Sequence, residues 1–107
     1  MFTFGSELKK INIPYNKCGK SGIVAYIGNG KEAILLRTDF DALPIKEESN
    51  LSFASNNGNC HACGHDMHTA MLLGAAKILK AKENKLTKKV LFMFQPAEEI
   101  LKGCNDM

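Results

Sequence analysis

Two uninterrupted apolar runs, Ala33-Ile34-Leu35-Leu36 and Val90-Leu91-Phe92-Met93-Phe94, stand on either side of a long helical pattern. Apolar runs without polar alternation are typical of strands buried on both faces, as in parallel sheets. Parallel neighbours need a crossover connection, most often a helix. The spacing predicts that helix over Asp66 to Ala81, where Met67, Ala70, Met71, Gly74, Ala75 and Ile78 recur at helical intervals. Leu72, Leu73, Ala76 and Leu79 widen the apolar surface, so the helix is expected to be largely covered. Asp66 is the expected cap at its start. The order predicts an α/β fold: a mixed sheet with a β-hairpin and a buried crossover helix.

Upstream, Ser6 is positioned to cap a short helix through Lys10, and Ile11 to Tyr15 reads as a strand that Pro14 confines to an edge. Gly22 to Ile27 is a clearer strand. The Asn29-Gly30 pair predicts a hairpin turn returning through Ala33–Leu36 as its partner. Ile45 to Asn59 is polar and irregular, a surface loop with a turn at Asn57-Gly58.

The chain has 107 residues, enough for one small domain, and 45% of them are hydrophobic. A net charge of +3 without interleaved aromatics argues against nucleic acid, and no apolar run is long enough for a membrane span. Met1 to Gly5 lacks the pattern of a secretory leader, and four cysteines without a framework spacing suit a reducing compartment. The chain is therefore expected to be cytoplasmic. The lysines around the helix end (Lys80, Lys82, Lys85, Lys88, Lys89) read as a solvated face.

All three histidines fall in His61-Ala62-Cys63-Gly64-His65-Asp66-Met67-His68. Cys63 and His65, with only a glycine between them, can turn toward one point. A cysteine near a helix N-terminus is expected to have a lowered pKa, and imidazole is a common zinc ligand. Glu98 and Glu99 follow the second apolar strand, where one carboxylate can bind metal and the other take a proton from water. Asp39 and Asp41, one residue apart, follow the first apolar run, where open α/β sheets place their chemistry. Taken alone, the pair reads more simply as a loop with one solvated acid and one capping acid. Cys60 and Cys63 also allow a thiol-disulfide pair, or half of a structural zinc site that lacks a second half.

Arg37 to Pro44, Phe53-Ala54-Ser55, His61 to Ala70 and Phe94 to Glu99 together resemble a metallopeptidase family of amidohydrolases: aminoacylases, hippurate hydrolases, auxin-conjugate hydrolases and certain carboxypeptidases. The resemblance implies a three-layer αβα catalytic domain of zinc-peptidase type. It implies a site for two divalent ions (manganese, zinc, cobalt or nickel), with Cys63, His65 and Glu99 as metal ligands. Glu98 would be the general base for the attacking water, and Asp41 the acid that orients a ligand. The substrate would be an N-acyl amino acid or a related small amide.

Family members are longer, with a lid domain used in dimerisation and two further histidine ligands downstream. Cys60 and Met67 also stand where methionine and glycine are usual in the family. Residues 1–107 would thus be part of a catalytic domain, able to hold at most one ion and inactive by itself. A non-catalytic metal-binding or interaction fragment is the alternative.

Overall fold

The computed structural model describes residues 4–107; the Met1–Thr3 part of the stretch read for a leader lies outside them. The elements run α1 (Phe4–Lys10), β1 (Tyr15–Cys18), β2 (Gly22–Ile27), β3 (Ala33–Asp39), α2 (His65–Ala81), a short 3-10 turn (Glu83–Lys85), β4 (Lys89–Gln95) and α3 (Gly103–Asp106).

The four strands form one mixed sheet in the order β1-β2-β4-β3. β3 and β4 are parallel, paired from Ala33↔Lys89 to Asp39↔Gln95, and α2 is their crossover, as the apolar runs predict. β4 is interior, between β2 and β3, and its burial alternates along most of its length. Val90, Phe92 and Phe94 are buried with Ala25 and Ile27 of β2, and Leu72 and Ala76 of α2 and Leu8 of α1 join them in one core. At full burial, an aromatic side chain such as Phe92 contributes about 2–3 kcal/mol through the area it removes from water.

Several expectations are corrected. The hairpin joins β1 to β2, not β2 to β3, because β4 sits between those two strands. Gly28, in the left-handed region at φ 75°, redirects the chain after β2, and its N–H donates to Glu83 beyond the crossover helix. Glu83 also pairs with Lys80 at 2.7 Å, and these two contacts hold its carboxyl below the usual range. The predicted edge strand is real but lies later, at Tyr15–Cys18, since Ile11 and Asn12 form a turn and Pro14 gives only a carbonyl to Tyr26. Helix α1 begins at Phe4, which leaves Ser6 inside it rather than capping it.

β3 is not buried on both faces. It is the outer strand, and Ile34 and Leu35 are about half exposed. Nor is α2 covered all round: His65, Thr69, Leu72 and Ala76 are buried, while Met67, Met71 and Ile78 are more than 60% exposed. Asp66 does not cap it either. Gly64 holds that position at φ 78°, a backbone conformation that glycine adopts without steric cost.

Candidate metal centre

The C-terminal ends of the parallel strands and the N-terminus of the crossover helix meet at one corner. Asp39 and Asp41 come from the end of β3 and the residues after it, His65 and His68 from the first turn of α2, and Glu98 and Glu99 from the turns after β4. This is where an open α/β sheet leaves a crevice for chemistry.

His65 is the pivot and is 5% exposed. Its Nδ1 lies 3.0 Å from the carbonyl oxygen of Asp41, which makes that nitrogen the N–H donor in the neutral ring. Nε2 then turns its lone pair toward Glu99 Oε1 at 3.4 Å, Asp39 Oδ1 at 3.6 Å and Glu98 Oε2 at 3.9 Å. Burial works against a charged ring. The Asp41 carbonyl and the charges of Asp39, Asp41 and Glu99 outweigh it, so the His65 pKa is raised.

Asp41 has two tasks. Oδ2 accepts the backbone N–H of Glu99 at 3.1 Å, tying the loop after β4 to the loop after β3. Oδ1 is buried without a hydrogen bond and faces His65 Nδ1 at 3.2 Å. Asp39 is 6% exposed. One of its oxygens pairs with Arg37 at 2.9 Å and the other meets His68 Nδ1 at 3.1 Å. Burial works against its charge, but His68, His65 and Arg37 together hold its carboxyl below the usual range.

Two groups of side chains present potential ligand atoms within 4.8 Å of one another: His65 with Glu98 and Glu99, and Asp39 with His65 and His68. Both use His65, whose Nδ1 is occupied, so both depend on the same Nε2 and His65 can serve only one of them at a time. An imidazole nitrogen cannot bridge two ions. Cys63 is in neither group. Its exposed thiol lies beside the cluster, under the influence of the Glu99 carboxylate. The neighbouring Glu99 carboxylate above all, with the charges of Glu98 and Asp41, raises the thiol pKa rather than lowering it, so the acids outweigh the helix end.

The donor set suits a divalent cation. Four carboxylates face one imidazole, Arg37 is taken by Asp39, and Asp41 Oδ1 is buried without a hydrogen bond among the described residues. Imidazole, carboxylate and a neighbouring thiol are the ligand types of zinc and related metals. The sequence marks Asp39 only as one of two acids at a strand end and His68 only as the last of three clustered histidines, with no role for either. His65 and His68, three apart on one helical face, were the available signal.

Such a corner, on a mixed sheet with a crossover helix, offers the donor types of a metal site. Residues 35–107 match the model of Peptidase family M20/M25/M40, and the chain belongs to that family. It is 48% identical over 105 residues to an IAA-amino acid hydrolase (ILR1-like 6) of Arabidopsis thaliana, a match covering 95% of this chain and 23% of the relative. It is 50% identical over 88 residues to an N-acetylcysteine deacetylase of Bacillus subtilis, covering 78% of this chain and 23% of the relative. The crystal structure of the Bacillus subtilis YXEP protein, a dinuclear metal-binding peptidase of the M20 family, superposes with a TM-score of 0.86 at 42% identity, covering 95% of this chain and 30% of that one. The chain thus spans about a quarter of the length of the curated relatives it matches.

Proposed function

We propose that these residues are part of the catalytic domain of a metal-dependent amidohydrolase that cleaves N-acyl amino acids or related small amides. The observation that carries the reading is the convergence of Glu98, Glu99 and Asp39 on the free nitrogen of a buried histidine. The relatives' names, an amino acid conjugate hydrolase and an N-acetyl amino acid deacetylase, support the substrate class.

His65 and Glu99 would hold the ion, with Cys63 reaching it from beside Glu99. A bound divalent ion supplies Lewis acidity, polarising an amide carbonyl and acidifying a water. Manganese, zinc, cobalt and nickel all suit the donors. Glu98, 3.9 Å from His65 Nε2 and about a third exposed, takes the proton from the attacking water and returns it to the leaving amine. Asp41 keeps Glu99 and His65 in register from behind. The setting we propose is cytoplasmic, a reading that the four free thiols support.

The test is release of free amino acid from N-acetyl-L-cysteine and other N-acyl amino acids by metal-loaded protein. Glu98→Gln is expected to keep its metal and lose turnover. Equal turnover in that variant would overturn the reading. A second reading, a metal-binding module without turnover of its own, is favoured by both candidate ligand groups depending on the one free nitrogen of His65. Metal retention without turnover in either form would select it.

A further inference from the structure

Asp39 is held more tightly than any other acid at this corner. Its carboxylate pairs with Arg37 through Oδ2 at 2.9 Å, and the Arg37 Nε donates to Gln95 Oε1 at 3.0 Å. Its carbonyl accepts the buried Thr69 hydroxyl at 3.1 Å, and its backbone is paired with Gln95 in the parallel ladder. Three elements, β3, β4 and α2, therefore fix one side chain.

The remaining oxygen, Oδ1, is shared. His68 Nδ1 lies 3.1 Å from it and His65 Nε2 lies 3.6 Å from it. The two rings sit one helical turn apart, with centroids 5.6 Å apart. We propose that Asp39 is a positioning residue of the metal centre: its Oδ1, locked by the Arg37–Gln95 brace, fixes the Nδ1–H tautomer of His68 and sets a permanent negative charge against the ligand nitrogen of His65. The inference rests on the metal-centre reading above.

The chemistry follows from which groups can donate. Arg37 has only donors, so Oδ2 must accept from it, and this leaves Oδ1 as the acceptor for His68. An asparagine at position 39 cannot keep both contacts. Its oxygen stays with Arg37, so its NH2 turns toward His68 and the ring must present Nδ1 as an acceptor. The substitution thus switches His68 to the Nε2–H tautomer and removes the charge facing His65. Outer partners of this kind change metal affinity by about ten- to a hundredfold.

The test uses cobalt(II) titration of the protein together with ring-nitrogen NMR of its histidines. Asp39→Asn is expected to weaken cobalt binding about tenfold or more and to move His68 to the other tautomer. Because Asp39 is buried, a second pair of variants works from the half-exposed side. His68→Leu removes the donor to Oδ1 and is expected to weaken cobalt binding. His68→Asn places an amide N–H where Nδ1 stood and is expected to restore it. Equal cobalt affinity in His68→Leu, His68→Asn and the wild type would overturn the proposal, as would an unchanged His68 tautomer in Asp39→Asn. A wild-type protein that binds no cobalt would remove the metal-centre reading, and this inference with it.

Discussion

His65 Nδ1 donates to the carbonyl oxygen of Asp41 across 3.0 Å, and this one contact decides which nitrogen faces the acids. The same contact, with the surrounding carboxylates, makes the folded protein bind a proton on His65 more tightly than the unfolded chain does, above the ordinary value of 6.5. A group with a raised folded pKa contributes stability that is complete below its unfolded value and is lost as pH rises through its folded value. Metal-free protein is therefore expected to have a lower urea midpoint at about pH 8.5 than at about pH 6. His65→Gln should flatten that difference. An equally steep dependence in the variant would assign the titration to another group.

Cys63 gives a prediction of opposite chemical sense. The negative charge of Glu99, with those of Glu98 and Asp41, disfavours the thiolate although the side chain is exposed. Alkylation requires the thiolate. With metal removed by a chelator, Cys63 should react with iodoacetamide more slowly in the folded chain than in the urea-unfolded chain, read peptide by peptide in a mass spectrometer. Faster reaction in the folded state would mean that the helix N-terminus governs this thiol after all.

The parallel pair and its crossover helix were legible because they are written in long patterns: two apolar runs and a helical period between them. The hairpin partner was not. Asn29-Gly30 is a local turn signal, whereas the neighbour of β2 is β4, more than sixty residues further along. Burial of β3 was overestimated for a related reason. An apolar run shows what a strand can bury, but Ile34 and Leu35 lie on the outer strand. At the site, His65 and Glu99 do meet, but the sequence could not show that Asp39 sits between two histidines, since that depends on strand register. The thiol pKa was misjudged because the helix end is local in sequence and the opposing acids are not.

The exposed outer strand predicts how the 107-residue chain behaves in solution. Ile34 is 48% and Leu35 51% exposed on a strand with one unpaired side, a template for edge-to-edge association. Leu35→Lys places a charge there without touching the core around Phe92. The variant should scatter less light on concentration, with thermal stability within about 0.5 kcal/mol of the parent, as is usual for surface changes. Unchanged scattering would place the association surface elsewhere, with the exposed Met67, Met71 and Ile78 of α2 the next face to alter.

Gly103 links the fold to the metal centre through a close approach of backbone to backbone. A Cβ built there would run into the carbonyl oxygen of Pro96. The chain between those residues, with Ala97 and Leu101 in the left-handed region, carries Glu98 and Glu99. Because the clashing atom belongs to the backbone, no rotamer change can relieve it. Gly103→Ala must push the loop away from the end of β4 and so withdraw both glutamates from His65. The expected result is a loss of more than about 1 kcal/mol, seen as a fall in melting temperature of several degrees, together with weaker cobalt binding. Phe92→Ala separates the two effects. It should cost about 3–5 kcal/mol from a cavity in the core, while in whatever fraction stays folded the ligand loop keeps its place and its cobalt affinity. If Gly103→Ala instead lowers the melting temperature and leaves cobalt affinity intact, the glutamates are held by Asp41 alone, through its bond to the Glu99 N–H.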